Sequence, residues 1–192
     1  MQKLIFATNN QHKTTEIRSL LKERFTIMTL AEAGIDIDIP EPFATLEENA
    51  KEKATTIYNL TGINCFGEDT GLETSALHGE PGVKSARYAG AERDFAANME
   101  KLLNRLGGKA DRTARFRTVI SLILEGVEHR FEGICEGSIA EAPRGNKGFG
   151  YDPVFIPLHS NRTFAEMSLA EKNQYSHRGK AVEQLTRFLI KI

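Results

Sequence analysis

The chain has 192 residues, 40% of them hydrophobic, enough to bury one sizeable core as a single domain or as two lobes sharing a cleft. Its formal net charge of −1 provides no global field for nucleic acid or an anionic membrane, so no nucleic-acid or membrane partner is expected and the substrate is a small molecule. Cys65 and Cys135 are the only cysteines and form no CxxC pair; they point to neither a zinc cluster nor a disulfide framework and read as buried thiols.

One lysine followed by Leu-Ile-Phe-Ala is too short for a signal peptide or a membrane span, and the expected compartment is cytoplasmic. Strand Lys3–Ala7 leads into a helix expected from about Gln11 to Arg24, with Ile17, Leu20, Leu21 and Arg24 on one amphipathic face. Short strands are expected over Phe25–Thr29 and Ile35–Ile39, after which Thr45-Leu46-Glu47-Glu48 reads as a capping box opening a helix to about Leu60. Strand Ile63–Phe66 follows, then an acidic turn, Gly67-Glu68-Asp69-Thr70-Gly71, and an irregular glycine-rich stretch to Gly90. Helical spacing returns with Phe95, Met99, Leu102, Leu103 and Leu106 before Gly107-Gly108. Ala114–Leu124 and Glu128–Ala140 read as strands of a hairpin turned by Glu125-Gly126-Val127. A glycine-rich loop spans Pro143–Asp152, a short strand covers Val154–Ile156, and a helix over Arg178–Ile190 closes the chain with Ala181, Val182, Leu185, Phe188 and Leu189 on one face. The class is α/β with a mixed sheet, and no repeat, low-complexity segment or linker divides it.

Four constellations carry chemistry. Thr8, Asn9, Asn10 and Lys13 set small polar groups and a point charge where a helix begins, which suits phosphate; an ordinary polar helix cap has the same composition, and the loop lacks the Gly-x-x-x-x-Gly-Lys-[Ser/Thr] signature. Asp69 beside Glu68 suits Mg²⁺, with Glu41 as a third carboxylate, whereas a turn would use Asp and Gly for backbone reasons alone. In Gly145-Asn146-Lys147-Gly148-Phe149-Gly150-Tyr151-Asp152 the aromatics stand among glycines, ready either to stack on a base or to tuck Phe149 into the core. Lys172, His177 and Arg178 follow a second capping box, Ser168-Leu169-Ala170-Glu171, and suit phosphate or a base carbonyl as well as a solvated helix start. Asp36-Ile37-Asp38-Ile39 has the Asp-x-Asp spacing of aspartyl-phosphate phosphatases, but strict alternation with isoleucine and the following Pro40-Glu41 read instead as a half-buried strand. A phosphate cradle and a magnesium carboxylate in one chain indicate nucleotide chemistry.

In chain order these segments resemble the inosine triphosphate pyrophosphatase family, the Ham1/RdgB-like enzymes. The matching residues are Ala7 to Lys13 with Glu16-Ile17, Glu41 with Glu48-Asn49-Ala50 and Lys53-Ala54, Glu68 to Leu72, Pro81 to Gly90, Gly148 to Pro153 and Ser176 to Ala181. The resemblance implies an elongated α/β fold whose two lobes flank a nucleotide cleft, a homodimer, Mg²⁺ as cofactor, and hydrolysis of deaminated purine nucleoside triphosphates (ITP, dITP, XTP) to monophosphate and pyrophosphate. By position it assigns Thr8, Asn9, Asn10, Gln11, His12, Lys13 and Lys53 to the triphosphate, Thr70 to substrate binding, and Asp69 to general base and metal ligand with Glu41 as a candidate second ligand. Phe149 stacks on the purine, with Gly150, Tyr151, Asp152, His177 and Arg178 around the base and Lys172 assisting. This chain departs from many bacterial members, which read Thr-Gly-Asn at Thr8-Asn9-Asn10 and Asp-Asp-Ser-Gly at Glu68-Asp69-Thr70-Gly71. Ser85 and Arg87 receive no firm role: they shape the cleft or fix the Pro81–Gly90 turn.

An unperturbed aspartate, with a pKa of about 3.9, is a weak base, so Asp69 is expected to act mainly by positioning a metal-acidified water while Lys13, Lys53 and Mg²⁺ neutralise the triphosphate. A donor such as Arg178 favours the 6-oxo group of inosine and xanthine over the 6-amino group of adenine. Two competing readings share these residues: a pyrophosphatase for modified pyrimidine triphosphates, and a nucleotide-binding module without hydrolysis.

Overall fold

Leu4-Ile5-Phe6-Ala7 is an unbroken apolar run, the pattern of a strand covered on both faces. In the computed structural model, which describes residues 2–21 and 25–191, most of this run lies in strand β1 (Gln2–Phe6). The remaining elements are α1 (Gln11–Leu21), β2 (Phe25–Met28), α2 (Leu46–Thr61), β3 (Cys65–Thr74), β4 (Pro81–Gly82), α3 (Phe95–Arg105), β5 (Thr113–Leu124), β6 (Val127–Ile139), β7 (Phe155–Pro157), α4 (Leu169–Tyr175) and α5 (His177–Leu189). The sheet order is β2-β1-β3-β5-β6-β7, with β4 on β3. β1 runs parallel to β2 and β3, while β3–β4 and β6–β7 are antiparallel, so the sheet is mixed. Arg24, expected at the end of the α1 face, lies outside the described residues.

The chain divides into two compact units. Unit 1 comprises the residues up to Asp69, Thr118–Gly133 and the residues from Arg178 on; unit 2 comprises Thr70–Arg117 and Ile134–His177. In unit 1 the period-2 alternation of β1 sorts its side chains. Leu4 and Phe6 pack with Ile17 and Leu21 of α1 and with Ala181, Val182, Leu185 and Leu189 of α5, and Phe6 stacks on Phe66 at 4.5 Å. Ile5 and Ala7 face the other way, onto Ala54 and Ile57 of α2. Helix α2 begins where the capping box places it: the Thr45 hydroxyl accepts from Glu48 N at 3.2 Å, and Gly62, with φ 66°, ends the helix. In unit 2 a core of Leu72, Leu102, Leu106, Phe116, Ile139, Val154, Phe155 and Phe164 joins α3 to the sheet. β5 and β6 meet through Glu125 and Gly126, both at positive φ (50° and 83°), the conformation that matches strand twist in a two-residue hairpin.

Two expected elements differ. Ile35–Ile39 is not a strand. Ile39 is buried and Ile35 and Ile37 pack against the α2 face of the core, so the alternation does report half-burial, but the Ile37 carbonyl accepts from the Asn9 side-chain amide at 3.0 Å rather than from a neighbouring strand. Asp36 and Asp38 are exposed, which removes the phosphatase pattern. The acidic turn is the second difference: residues 67–71 are the middle of β3. Their glycines serve close approach rather than chain reversal, since a Cβ on Gly71 would lie 2.7 Å from the Gly82 carbonyl oxygen. The Ser85 hydroxyl accepts from Leu72 N at 2.8 Å and donates to the Gly82 carbonyl at 2.6 Å, fixing the turn after β4 to β3. Among the described residues no helix is long and apolar enough to cross a membrane.

Candidate functional site

Consecutive residues of a strand project to opposite faces, and β3 applies this rule to its two carboxylates. Phe66 and Glu68 share the face covered by α1 and α5, whereas Cys65, Gly67 and Asp69 share the face covered by α2. Glu68 and Asp69 therefore do not converge as they would in a turn; each organises its own ion cluster within unit 1.

On the first face Arg178, at the start of α5 and 1% exposed, grips Glu68 with two donors, Nε to Oε2 at 3.2 Å and NH2 to Oε1 at 2.9 Å, while NH1 donates to Glu16. Burial opposes the charge, but Glu68 and Glu16 outweigh it and hold the guanidinium above its ordinary pKa. Lys13 Nζ stands 3.5 Å from Glu68 Oε1, and burial holds this ammonium below its ordinary range despite the carboxylate. The resemblance puts Arg178 beside the base; its Nε, NH1 and NH2 donate to Glu68 and Glu16, the charge partners that a fully buried guanidinium requires.

On the second face Lys53 Nζ donates to Asp69 Oδ1 at 2.9 Å and to the Glu68 carbonyl at 3.1 Å, and pairs with Glu41. One turn earlier on α2, Asn49 Nδ2 reaches Asp69 Oδ2 at 3.4 Å and donates to the Phe43 carbonyl, while its Oδ1 accepts from Phe43 N. Burial pushes the Asp69 carboxyl above its ordinary range even against Lys53 and Lys13. Lys53 is pulled down by burial but raised overall by Asp69 and Glu41, so it remains an ammonium. Sequence reasoning gives Asn49 no role. Its i, i+4 spacing from Lys53 is the signal that both meet one target.

Gly67 lets α2 come this close: a Cβ there would lie 2.2 Å from the Ala50 carbonyl oxygen and 2.8 Å from Lys53 Cβ. Gly67→Ala is expected to destabilise the fold by about 1–3 kcal/mol, the range for overpacking, and to displace Lys53 from Asp69. Urea denaturation and activity at a permissive temperature check both effects, and wild-type stability would contradict the packing described.

The loop before α1 uses its polar residues largely on its own backbone. Thr8 Oγ1 accepts from Asn10 N and Asn10 Oδ1 accepts from Lys13 N, both at 3.1 Å, so Asn10 caps α1. Gln11 and His12 are exposed on the first turn. The cap and the phosphate cradle are compatible, because the cap orders a helix N-terminus whose dipole favours an anion.

Unit 2 brings together the aromatic loop and the late cluster. Asp152, 2% exposed, accepts from Phe149 N at 2.9 Å and from Lys172 Nζ, and the Lys172 ammonium lies 5.2 Å from the Phe149 ring centre. Gly148 is required here twice over, with φ 73° and a Cβ position 2.0 Å from Asp152 Oδ2. Phe149 itself is half-buried, not tucked into the core. Tyr151 is buried in the core of this unit, with its hydroxyl donating to the Ser85 carbonyl at 2.9 Å. His177 stacks on Phe116 with ring centres 4.5 Å apart, and Thr70 opens unit 2 along β3. Phe95, which sequence reasoning uses only as a helix position, stands 6.0 Å from Phe149.

Among the described residues no group of three or more His, Cys, Asp or Glu side chains is arranged to hold a metal ion. Asp69 and Glu41 nevertheless present hard oxygens to one cation, the Lys53 ammonium. That donor set fits Mg²⁺, which takes one or two protein carboxylates and completes its shell with substrate oxygens and water.

The Ham1 family model matches residues 4–188. A protein of Porphyromonas gingivalis named dITP/XTP pyrophosphatase is 52% identical over 191 residues, covering 99% of this chain and 98% of its own length. One of Christiangramia forsetii with the same name is 50% identical, covering 98% of this chain and all of its own. Among solved structures, a HAM1 protein from Coxiella burnetii superposes with a TM-score of 0.91 at 37% identity over the whole of both chains, and the Staphylococcus aureus Ham1 protein with 0.89 at 38% identity over 99% of each. With the β1–α1 cap, the Lys53–Asp69 pair and the Phe149 loop all inside the matched span, the chain belongs to the Ham1 family.

Proposed function

We propose that this chain hydrolyses the non-canonical purine nucleoside triphosphates dITP, XTP and ITP to the nucleoside monophosphate and pyrophosphate, removing them from the nucleotide pool. The observation that carries this reading is Asp69, a buried carboxylate held by Asn49 on one oxygen and Lys53 on the other. Burial raises its pKa above the ordinary carboxylate range, and a carboxylate held in place on both oxygens is positioned to take the proton of an attacking water. A module that only bound nucleotide would need the cations without a base beside them.

Unit 1 supplies what a triphosphate requires. Lys13 and Lys53 carry positive charge, Asn10 and Thr8 order the α1 N-terminus toward an anion, and Asn9, tied to Ile37, restrains the loop. Asp69 and Glu41 are the residues to hold Mg²⁺, which when bound supplies positive charge against phosphate oxygens and acidifies water. Glu68, engaged by Arg178, is assigned to the ion cluster rather than to the metal. Unit 2 supplies what a purine requires: the Phe149 ring for stacking and Lys172 as a cationic donor matched to a 6-oxo group and mismatched to the 6-amino group of adenine. We further infer a homodimer acting in the cytoplasm.

Initial rates with ITP, XTP, dITP, GTP, ATP and dUTP, each with Mg²⁺, test the assignment. Rapid consumption of the first three and slow consumption of the others is expected. A preference for dUTP would transfer the chain to pyrimidine substrates, and binding of all six without turnover would make it a sensor.

A further inference from the structure

Phe95, the first residue of α3, is 38% exposed. Its backbone is fixed: Asp94 Oδ1 accepts from Ala96 N at 2.8 Å and Ala97 N at 3.0 Å, capping α3. Its ring meets Phe149 with centres 6.0 Å apart and planes inclined at 49°. Phe149 is equally fixed, by its N–H on Asp152 and by Gly148 at positive φ. The two rings thus stand on ordered backbone in a tilted aromatic pair, Phe95 exposed and Phe149 half-buried with the Lys172 ammonium 5.2 Å from its ring centre, a setting in which a flat group can add to the pair.

We propose that Phe95 is the second wall of the base site, so that the purine stacks on Phe149 and touches Phe95. The proposal rests on the purine reading given above and adds a specificity residue to it. It accounts for an exposed phenylalanine at the head of α3. It also assigns the helix cap a use, because Asp94 sets the position from which the Phe95 ring is presented.

The chain contains no tryptophan, so Phe95→Trp creates a single indole fluorophore at the proposed wall. Titration with inosine monophosphate, which is not consumed, is expected to quench and shift the emission of that indole, whereas pyrophosphate leaves it unchanged. Emission indifferent to the monophosphate, or altered equally by pyrophosphate, would overturn the assignment. Steady-state kinetics supply the second readout: Phe95→Ala is expected to raise KM for ITP about tenfold, within the range for loss of one base–aromatic contact, with kcat unchanged. Phe95→Tyr should restore KM. An unchanged KM in Phe95→Ala, with wild-type turnover intact, would sink this inference alone, while absence of ITP turnover in the wild type would sink the functional reading and leave the fluorescence titration to decide whether Phe95 touches a purine.

Discussion

Asp69→Asn is expected to lower turnover of ITP by about 10²–10⁴-fold, the contribution of a positioned proton acceptor, while nucleotide binding measured by equilibrium dialysis persists. The substitution keeps the shape of the side chain and one oxygen for the Lys53 hydrogen bond but removes the charge and the basicity. Asp69 is 6% exposed, and burial raises its pKa above the ordinary carboxylate range. Near-normal turnover in the variant would remove Asp69 from the chemistry and leave the ion cluster as a binding device.

Arg178→Met is expected to cost about 3–5 kcal/mol of folding stability, the range for stranding buried charge. The guanidinium serves Glu68 with two donors and Glu16 with a third, and all three side chains are almost wholly buried. Methionine fills much of the volume but leaves two carboxylates without a cation. Adding Glu68→Gln to Arg178→Met should recover part of the loss, since the residues form one network and their effects do not add. Urea denaturation of the two single variants and the double variant checks this; a loss below about 1 kcal/mol for Arg178→Met would mean the triad is not the buried ion network described.

The elements that were legible in the sequence are those whose pattern is local. Leu4-Ile5-Phe6-Ala7 announces a doubly covered strand, the apolar spacing through Leu189 gives α5 its face, and the Thr45 and Ser168 capping boxes place helix starts within a residue. At Gly67 and Gly71 the sequence is ambiguous, because glycine marks a turn and a close approach with the same letter; only the neighbouring Ala50 and Gly82 backbones distinguish them. Once residues 67–71 are seen as strand, alternation separates Glu68 from Asp69, a division that adjacency in sequence conceals. The pairing of Arg178 with Glu16 spans 162 positions and has no local signal at all. Ile35–Ile39 shows the complementary limit: alternation reported burial correctly, but a strand also needs a partner, and the Ile37 carbonyl found Asn9 instead.

We propose that water attacks the α-phosphorus of the purine triphosphate, and hydrolysis of ITP in ¹⁸O-water with mass analysis of both products tests this most directly. Inosine monophosphate carrying one ¹⁸O, with unlabelled pyrophosphate, is the expected result. Release of orthophosphate, or label in the pyrophosphate, would contradict it and place the attack at another phosphorus.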